Sequence, residues 1–283
     1  MTQKIALNNH HLTAIPTAIL SSELAYLSAR QNHLTTLPEA LWDCAGMRFL
    51  SVGDNQISHI AEAIGKLTAL THLFIDTNPL TSVPKTIGDL IHLHTLDIAH
   101  CQFTELPDSL QHLTHLQFLY TSDNALTHCP DWIGELRALR YFGMTDNQLK
   151  HLPDSIGDLN QLIELRLYRN HITYLPDSIG QLSHLRELHL HDNPLIELPD
   201  SIGDLSDLRI LDLRNNHLTH IPDSIGALNN LLYLDLRGNQ LTHLPPSIMN
   251  LTHLQKLDLR WNNFDDFTPE MTALQAQGCI VYI

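Results

Sequence analysis

The chain has 283 residues, 43% of them hydrophobic, which is apolar material enough for one elongated core. A formal net charge of −15 argues against partners that need a basic surface, nucleic acid and anionic membrane among them. No apolar run approaches the length that crosses a bilayer, and Met1 to His11 lacks the basic-then-apolar order of a classical signal peptide.

In chain order, residues 1–23 read as a capping unit. Ile5, Leu7, Leu12, Ile15 and Pro16 set out an apolar frame, with His10 in a polar slot. That slot then recurs every 23 residues as asparagine, at Asn32, Asn55, Asn78, Asn124, Asn147, Asn170, Asn193, Asn216, Asn239 and Asn262, and Cys101 fills the single gap. The same frame surrounds each, as in Leu162, Leu165, Leu167, Asn170, Ile172 and Leu175. Leu165-Arg166-Leu167 alternates apolar and polar residues, the pattern of a short half-buried strand. Leu165 and Leu167 then face a core, while Glu164, Arg166 and Tyr168 face out. Where the chain turns away, an amide has the donors and acceptor to satisfy backbone groups on two neighbouring coils. A thiol tolerates that buried slot with weaker bonding.

Downstream of each asparagine comes a second phrase, as in Leu175-Pro176-Asp177-Ser178-Ile179-Gly180. Proline ends the extended run, and Asp or Ser is expected to cap a short helical turn through its side chain. Ser155-Ile156-Gly157-Asp158 also has the spacing of a capping box. Gly65, Gly88, Gly134, Gly157, Gly180, Gly203 and Gly226 are expected to let that turn tighten. Residues 264–283 read as a second cap: bulky Phe264 and Phe267, an amphipathic helix from Thr268 to Gln277, and a last strand from Cys279 to Ile283. The expected whole is a single domain over 1–283 of about 12 stacked repeats, because one coil cannot bury its apolar side alone.

The outer phrase hardly changes, so the positions that face out from the strands carry the specificity. The earlier half places Tyr26, Phe49, Phe74, Phe118, Tyr120 and Tyr141 there, bordered by Asp54, Asp76, Asp97, Asp123 and Asp146. Aromatics on adjacent rungs leave apolar area in water and are typical anchors of interfaces, although cross-strand stacking alone would also explain them. The later half is charged. Asp212, Asp235 and Asp258 form one column, and Arg214, Arg237 and Arg260 form the next, as in a self-compensating ladder. Arg166, Tyr168, Arg169 and Trp261 add groups suited to an interface. One long contact over both halves is expected, anchored by the aromatic half, with a protein segment of apolar and basic residues as its partner.

His189 and His191 alternate on one strand, with Asp212 on the next rung, a spacing that could hold zinc. Twenty histidines in a repeating scaffold produce such near-matches by accident, so no metal and no other cofactor is expected. Protonation of those histidines would carry the chain from −15 past neutrality, which leaves a metal- or pH-responsive binder as an alternative. Ser, His and Asp are abundant, yet none forms a nucleophile elbow with its own base, and no phosphate-loop or zinc-protease motif occurs. A non-enzymatic binding module is expected.

The unit LPDSIGxLxxLxxLxLxxN resembles the 23-residue repeats of intracellular leucine-rich repeat proteins of the Ras-related group. These include the plant Ras-group repeats, the Ras suppressor protein and many bacterial repeat proteins. The resemblance spans nearly the whole chain. It implies an α/β horseshoe solenoid, with a parallel sheet on the concave side and short helical turns on the convex side. It implies a protein partner on the concave face, in some relatives a small GTPase or a phosphatase, and no catalytic centre. It also raises a bacterial effector acting on host proteins, delivered without a classical signal peptide. Extracellular members usually carry clustered cysteine caps, whereas Cys44, Cys101, Cys129 and Cys279 lie far apart. A cytoplasmic monomer is the expectation.

Overall fold

The computed structural model describes residues 3–283, so the first two positions of the expected N-terminal cap lie outside the described residues. The chain divides into two compact units: Met1–Leu126 with Glu135–Leu139, and Thr127–Gly134 with Arg140–Ile283. In the first unit, β1 (Gln3–Ala6), β2 (Leu24–Ser28), β3 (Phe49–Ser51), β4 (His72–Phe74), β5 (Thr95–Asp97) and β6 (Phe118–Tyr120) pair in parallel and in chain order. In the second, β7 (Tyr141–Gly143), β8 (Glu164–Arg166), β9 (Glu187–His189), β10 (Ile210–Asp212), β11 (Tyr233–Asp235), β12 (Lys256–Asp258) and β13 (Ile280–Tyr282) do the same.

Register follows the repeat. Leu27, Leu50, Leu73, Leu96 and Leu119 stand opposite one another, as do Phe142, Leu165, Leu188, Leu211, Leu234 and Leu257. All but Leu234 are fully buried, and each such side chain contributes roughly 1.5–3 kcal/mol. A 3-10 turn follows each strand up to β11, as at Asp177–Gln181, and turn stacks on turn as strand stacks on strand. The helix α1 covers Pro269–Ala276, capped by the Thr268 hydroxyl, which accepts from the Met271 N–H, and it buries Met271 and Leu274.

The asparagines do what their slot demands. The Asn170 amide donates to the carbonyls of Met144 (2.9 Å) one coil back and Leu167 (2.9 Å) on its own coil. Its oxygen accepts from the Leu149 N–H at 3.0 Å, so one side chain closes bonds on both coils. The pattern repeats at Asn55, Asn78, Asn193, Asn216, Asn239 and Asn262. Cys101 breaks it. Its thiol reaches the carbonyls of Ile75 (3.8 Å) and Ala99 (3.5 Å) but has no amide oxygen for the Leu80 N–H, which turns to the Asn78 carbonyl at 2.8 Å and meets the sulfur only weakly.

Two expectations about the outer turn are corrected. Proline, not Asp or Ser, holds the position before nearly every turn (Ala61 stands before Glu62–Lys66), and no side chain caps it. Asp and Ser already lie inside the turn, and the hydroxyls of Ser155 and Ser178 are buried without a hydrogen-bond partner. Gly157 is required by proximity instead of by a special backbone angle: a Cβ there would come within 2.5 Å of the Ser178 carbonyl on the next coil. The left-handed backbone falls one residue before each polar slot, at Gln31, Asp54, Thr77, His100, Asp123, Asp146, Arg169, Asp192, Asn215, Gly238 and Trp261, with φ between 51° and 64°. Asp, Asn and Gly tolerate that region, which explains their frequency in this column.

Candidate functional site

Strand pairing turns the sequence columns into a surface. In the first unit, one row of outward positions is Tyr26, Phe49, His72, Thr95 and Phe118, and the next is Ser28, Ser51, Phe74, Asp97 and Tyr120. The aromatic residues are half-buried, not fully exposed, because neighbours cover one another. Tyr26 stacks on Phe49 at 4.3 Å between ring centres, and Phe49 meets Phe74 at 5.4 Å. Tyr141, the last of the expected aromatic set, belongs to the second unit, where Arg166 lies 5.6 Å over its ring.

The five aspartates do not share one border. Asp54, Asp123 and Asp146 occupy the left-handed column beside the ladder, and Asp76 stands one position nearer the strands. Asp97 lies within the strand row itself, opposite Phe74 on one side and Tyr120 on the other. Arg30 reaches two coils to donate to both oxygens of Asp76 (2.7 Å each) and also pairs with Asp54 at 3.0 Å. This span needs Gly53 between them, since a Cβ there would stand 2.5 Å from both Arg30 Nη1 and Asp76 Oδ1. Donating to the Asp76 carboxylate raises the Arg30 guanidinium further still, so it stays protonated. Asp97 has less relief, since Arg30 and His100 act on it only through space. It accepts one backbone N–H, from Ala99 at 3.1 Å, and makes no ion pair among the described residues. Burial, together with the charge of Asp76, pushes its carboxyl up to about 6.

In the second unit the charges answer one another. Arg237 pairs with Asp235 (2.6 Å) and approaches Asp258 (3.5 Å), Arg260 pairs with Asp258 (2.7 Å), and Arg214 with Asp212 (3.4 Å). Asp258 is fully buried and also has Lys256 at 3.7 Å. Burial alone would raise its carboxyl, but Arg260 and Arg237 outweigh that and hold it below the usual carboxylate range. The self-compensating ladder is therefore what forms. Trp261 is the most exposed large apolar residue, at 72%, with Arg260 at 5.7 Å from its ring.

His189, His191 and Asp212, the near-match for zinc in the sequence, do not converge among the described residues. His191 stacks on Tyr168 at 4.2 Å and approaches Asp212 with Nδ1 at 3.0 Å, while His189 turns to Glu187 at 3.2 Å. The group that comes within ligand distance among the described residues is Glu164, Glu187 and His189, and Arg166 already holds Glu164. Arg30, Gly53 and Glu187 were not singled out from sequence. Reading the 23-residue column through Arg30, Gly53 and Asp76 would have found the first two. Several histidines at one repeat position serve the backbone: His115, His184 and His253 each bond a carbonyl on the preceding coil.

Two family models match the chain. One, described as a leucine-rich repeat region, covers residues 130–208 and 199–281, and the other, a leucine rich repeat, covers 91–149. No curated protein matches it. Among solved structures the chain is similar to a leucine-rich repeat protein of Leptospira interrogans, at 30% identity and TM-score 0.68, over 99% of this chain and 84% of that one. An internalin of Listeria monocytogenes shares the fold at 20% identity and TM-score 0.76, over 99% and 86% of the two chains. The leucine-rich repeat ectodomain of an Arabidopsis thaliana membrane receptor kinase, solved in complex with Casparian strip integrity factor 2, is 28% identical with TM-score 0.66. That match covers 95% of this chain and 39% of the ectodomain.

Proposed function

Because the chain belongs to the leucine-rich repeat family, we propose that it is a protein-binding module whose contact surface is the outward face of β2–β6. The fold is a common protein–protein interaction module, and the Arabidopsis ectodomain of the same fold was solved with a bound partner. The observation that carries the reading is the chemistry of this face. It presents half-buried Tyr26, Phe49, Phe74, Phe118 and Tyr120 next to Asp97, a carboxylate with no ion pair of its own among the described residues. A surface serving stability alone would resemble the second unit, where Arg214, Arg237 and Arg260 pair with Asp212, Asp235 and Asp258. Aromatic anchors with a net acidic surround suit a partner segment of apolar and basic residues. The four cysteines are free thiols, three of them buried, which favours a reducing compartment for the protein.

Phe49→Ala/Phe74→Ala/Tyr120→Ala tests the reading. Wild type and variant are immobilised, captured proteins are identified, and each is purified and titrated against both forms. We expect a partner whose affinity drops at least about tenfold on the variant, while the variant still unfolds cooperatively. Partners held equally by both forms would show that the rings only brace the sheet.

A further inference from the structure

Asp97 and the eight outward positions around it make a grid of unequal heights. β4 and its extension supply His72, Phe74 and Asp76, the β5 coil supplies Thr95, Asp97 and Ala99, and the β6 coil supplies Phe118, Tyr120 and Ser122. Within the middle rung, Thr95 and Ala99 are small and buried, so Asp97 lies in a trough. Phe74 and Tyr120 rise from the strands on either side of it. Those two strands lie roughly 10 Å apart, which leaves room between the rings for one alkyl stem or one planar cation.

We propose that this trough is a receptor for one arginine side chain of the partner protein, its guanidinium paired with Asp97 and stacked between the rings of Phe74 and Tyr120. The inference deepens the reading of the aromatic face as a protein-binding surface and rests on it. Three features select the occupant. A carboxylate at the floor calls for a cation, and the nearest internal one, Arg30, is committed to Asp76 and Asp54. The walls are π faces, which attract cations and stack on guanidinium better than on ammonium. The floor accepts only one backbone N–H, so Asp97 retains the free lone pairs that a forked donor needs. The charged surroundings agree. Asp76 approaches from the β4 coil and adds negative potential, His72 lies on the same strand, and His100 of the β5 coil is bound to Asp123 of the β6 coil at 2.7 Å. Burial pushes the Asp97 carboxyl up to about 6, which is the behaviour of a group desolvated ahead of its counter-ion.

The occupant requires ionised Asp97. Binding is therefore full above pH 6 and weakens about tenfold per unit as pH falls below it. The probe is the capped peptide acetyl-Gly-Leu-Arg-Leu-Gly-amide, with analogues in which citrulline or lysine replaces arginine. Binding is read from the ring resonances of Phe74 and Tyr120 in labelled full-length protein. At pH 7.5 we expect saturable shifts of both rings by the arginine peptide and at least about tenfold weaker binding of the citrulline peptide. Asp97→Asn should weaken the arginine peptide by a similar factor and abolish the pH dependence, with its unfolding midpoint not lowered. Rings that do not move, citrulline or lysine bound as well as arginine, or Asp97→Asn bound as well as wild type would each overturn the proposal. A purified partner lost by the triple-alanine variant but held unchanged by Asp97→Asn would overturn the arginine receptor and leave the wider binding face standing.

Discussion

At the scale of the residue, Cys101 measures what each ladder asparagine contributes. Elsewhere an amide oxygen takes the N–H of the residue 21 positions earlier, as Asn78 does for Ile57 at 2.9 Å. At Cys101 the equivalent Leu80 N–H must find another acceptor, and the thiol makes only long contacts. Restoring the amide should therefore stabilise the first unit. Cys101→Asn is expected to add about 1–2 kcal/mol, seen as a higher midpoint in urea with an unchanged slope. A lower midpoint would mean that the coil has repacked around sulfur and no longer has room for the amide. The slot, and the weaker bonding of its one thiol, were legible in the sequence because the period is strict. The left-handed residue beside it was not singled out, although Asp, Asn and Gly recur in that column. Thr77 and Trp261 occupy the same backbone region and obscure the signal.

The elements follow from spacing more readily than their chemistry does. Alternation in Leu165-Arg166-Leu167 marked the strand now seen over Glu164–Arg166, and the helix expected over 268–277 spans Pro269–Ala276. The outer turn was found in place, but its glycine is there for close approach between coils, and its serine caps nothing. Which face of a glycine meets the next coil is a three-dimensional fact, absent from any one repeat. Gly157→Ala should cost roughly 1–3 kcal/mol, because the new Cβ meets the backbone carbonyl of Ser178 and not a side chain that can move aside. Gly278→Ala is the informative contrast. Nothing lies within 4 Å there, so its cost comes from the backbone at φ 95°. Thermal unfolding of both variants separates crowding from backbone strain. The candidate site was legible to a similar depth: columns placed the aromatics and the charge ladder. Only the strand rows showed that Asp97 sits between Phe74 and Tyr120 and that Arg30 bridges past Gly53.

For the whole molecule, the two units should answer acid in opposite ways. Asp97 has a raised folded value of about 6, so its penalty on folding is complete above that pH and fades as pH falls toward 4. In the second unit burial alone would raise Asp212 and Asp258, but His191 and Arg214, and Arg260 and Arg237, outweigh it. Both carboxyls are therefore depressed, and their contribution stays whole down to the ordinary carboxylate range and is lost only below it. Hydrogen exchange measured from pH 7 to pH 3 should show protection in β4–β6 rising between pH 6 and 4, while protection in β10–β12 holds and then falls. Asp97→Asn should remove the first change, raise the unfolding midpoint at neutral pH by a few degrees, and leave the second change intact. A parallel response of both units would contradict this assignment of charges.

The asparagine slot also governs how the protein ages. An asparagine loses ammonia when the backbone nitrogen after it swings in to attack the side-chain carbonyl carbon, a reaction that needs a free rotor. Along the ladder the amide is pinned at both ends, by carbonyls at its nitrogen and an N–H at its oxygen, as at Asn170 and Asn193. Asn160 and Asn229, which lie exposed outside it, are not pinned in that way. Spontaneous conversion to aspartate should thus favour exposed asparagines outside the ladder, such as these, over the ladder residues whose loss would open the stack.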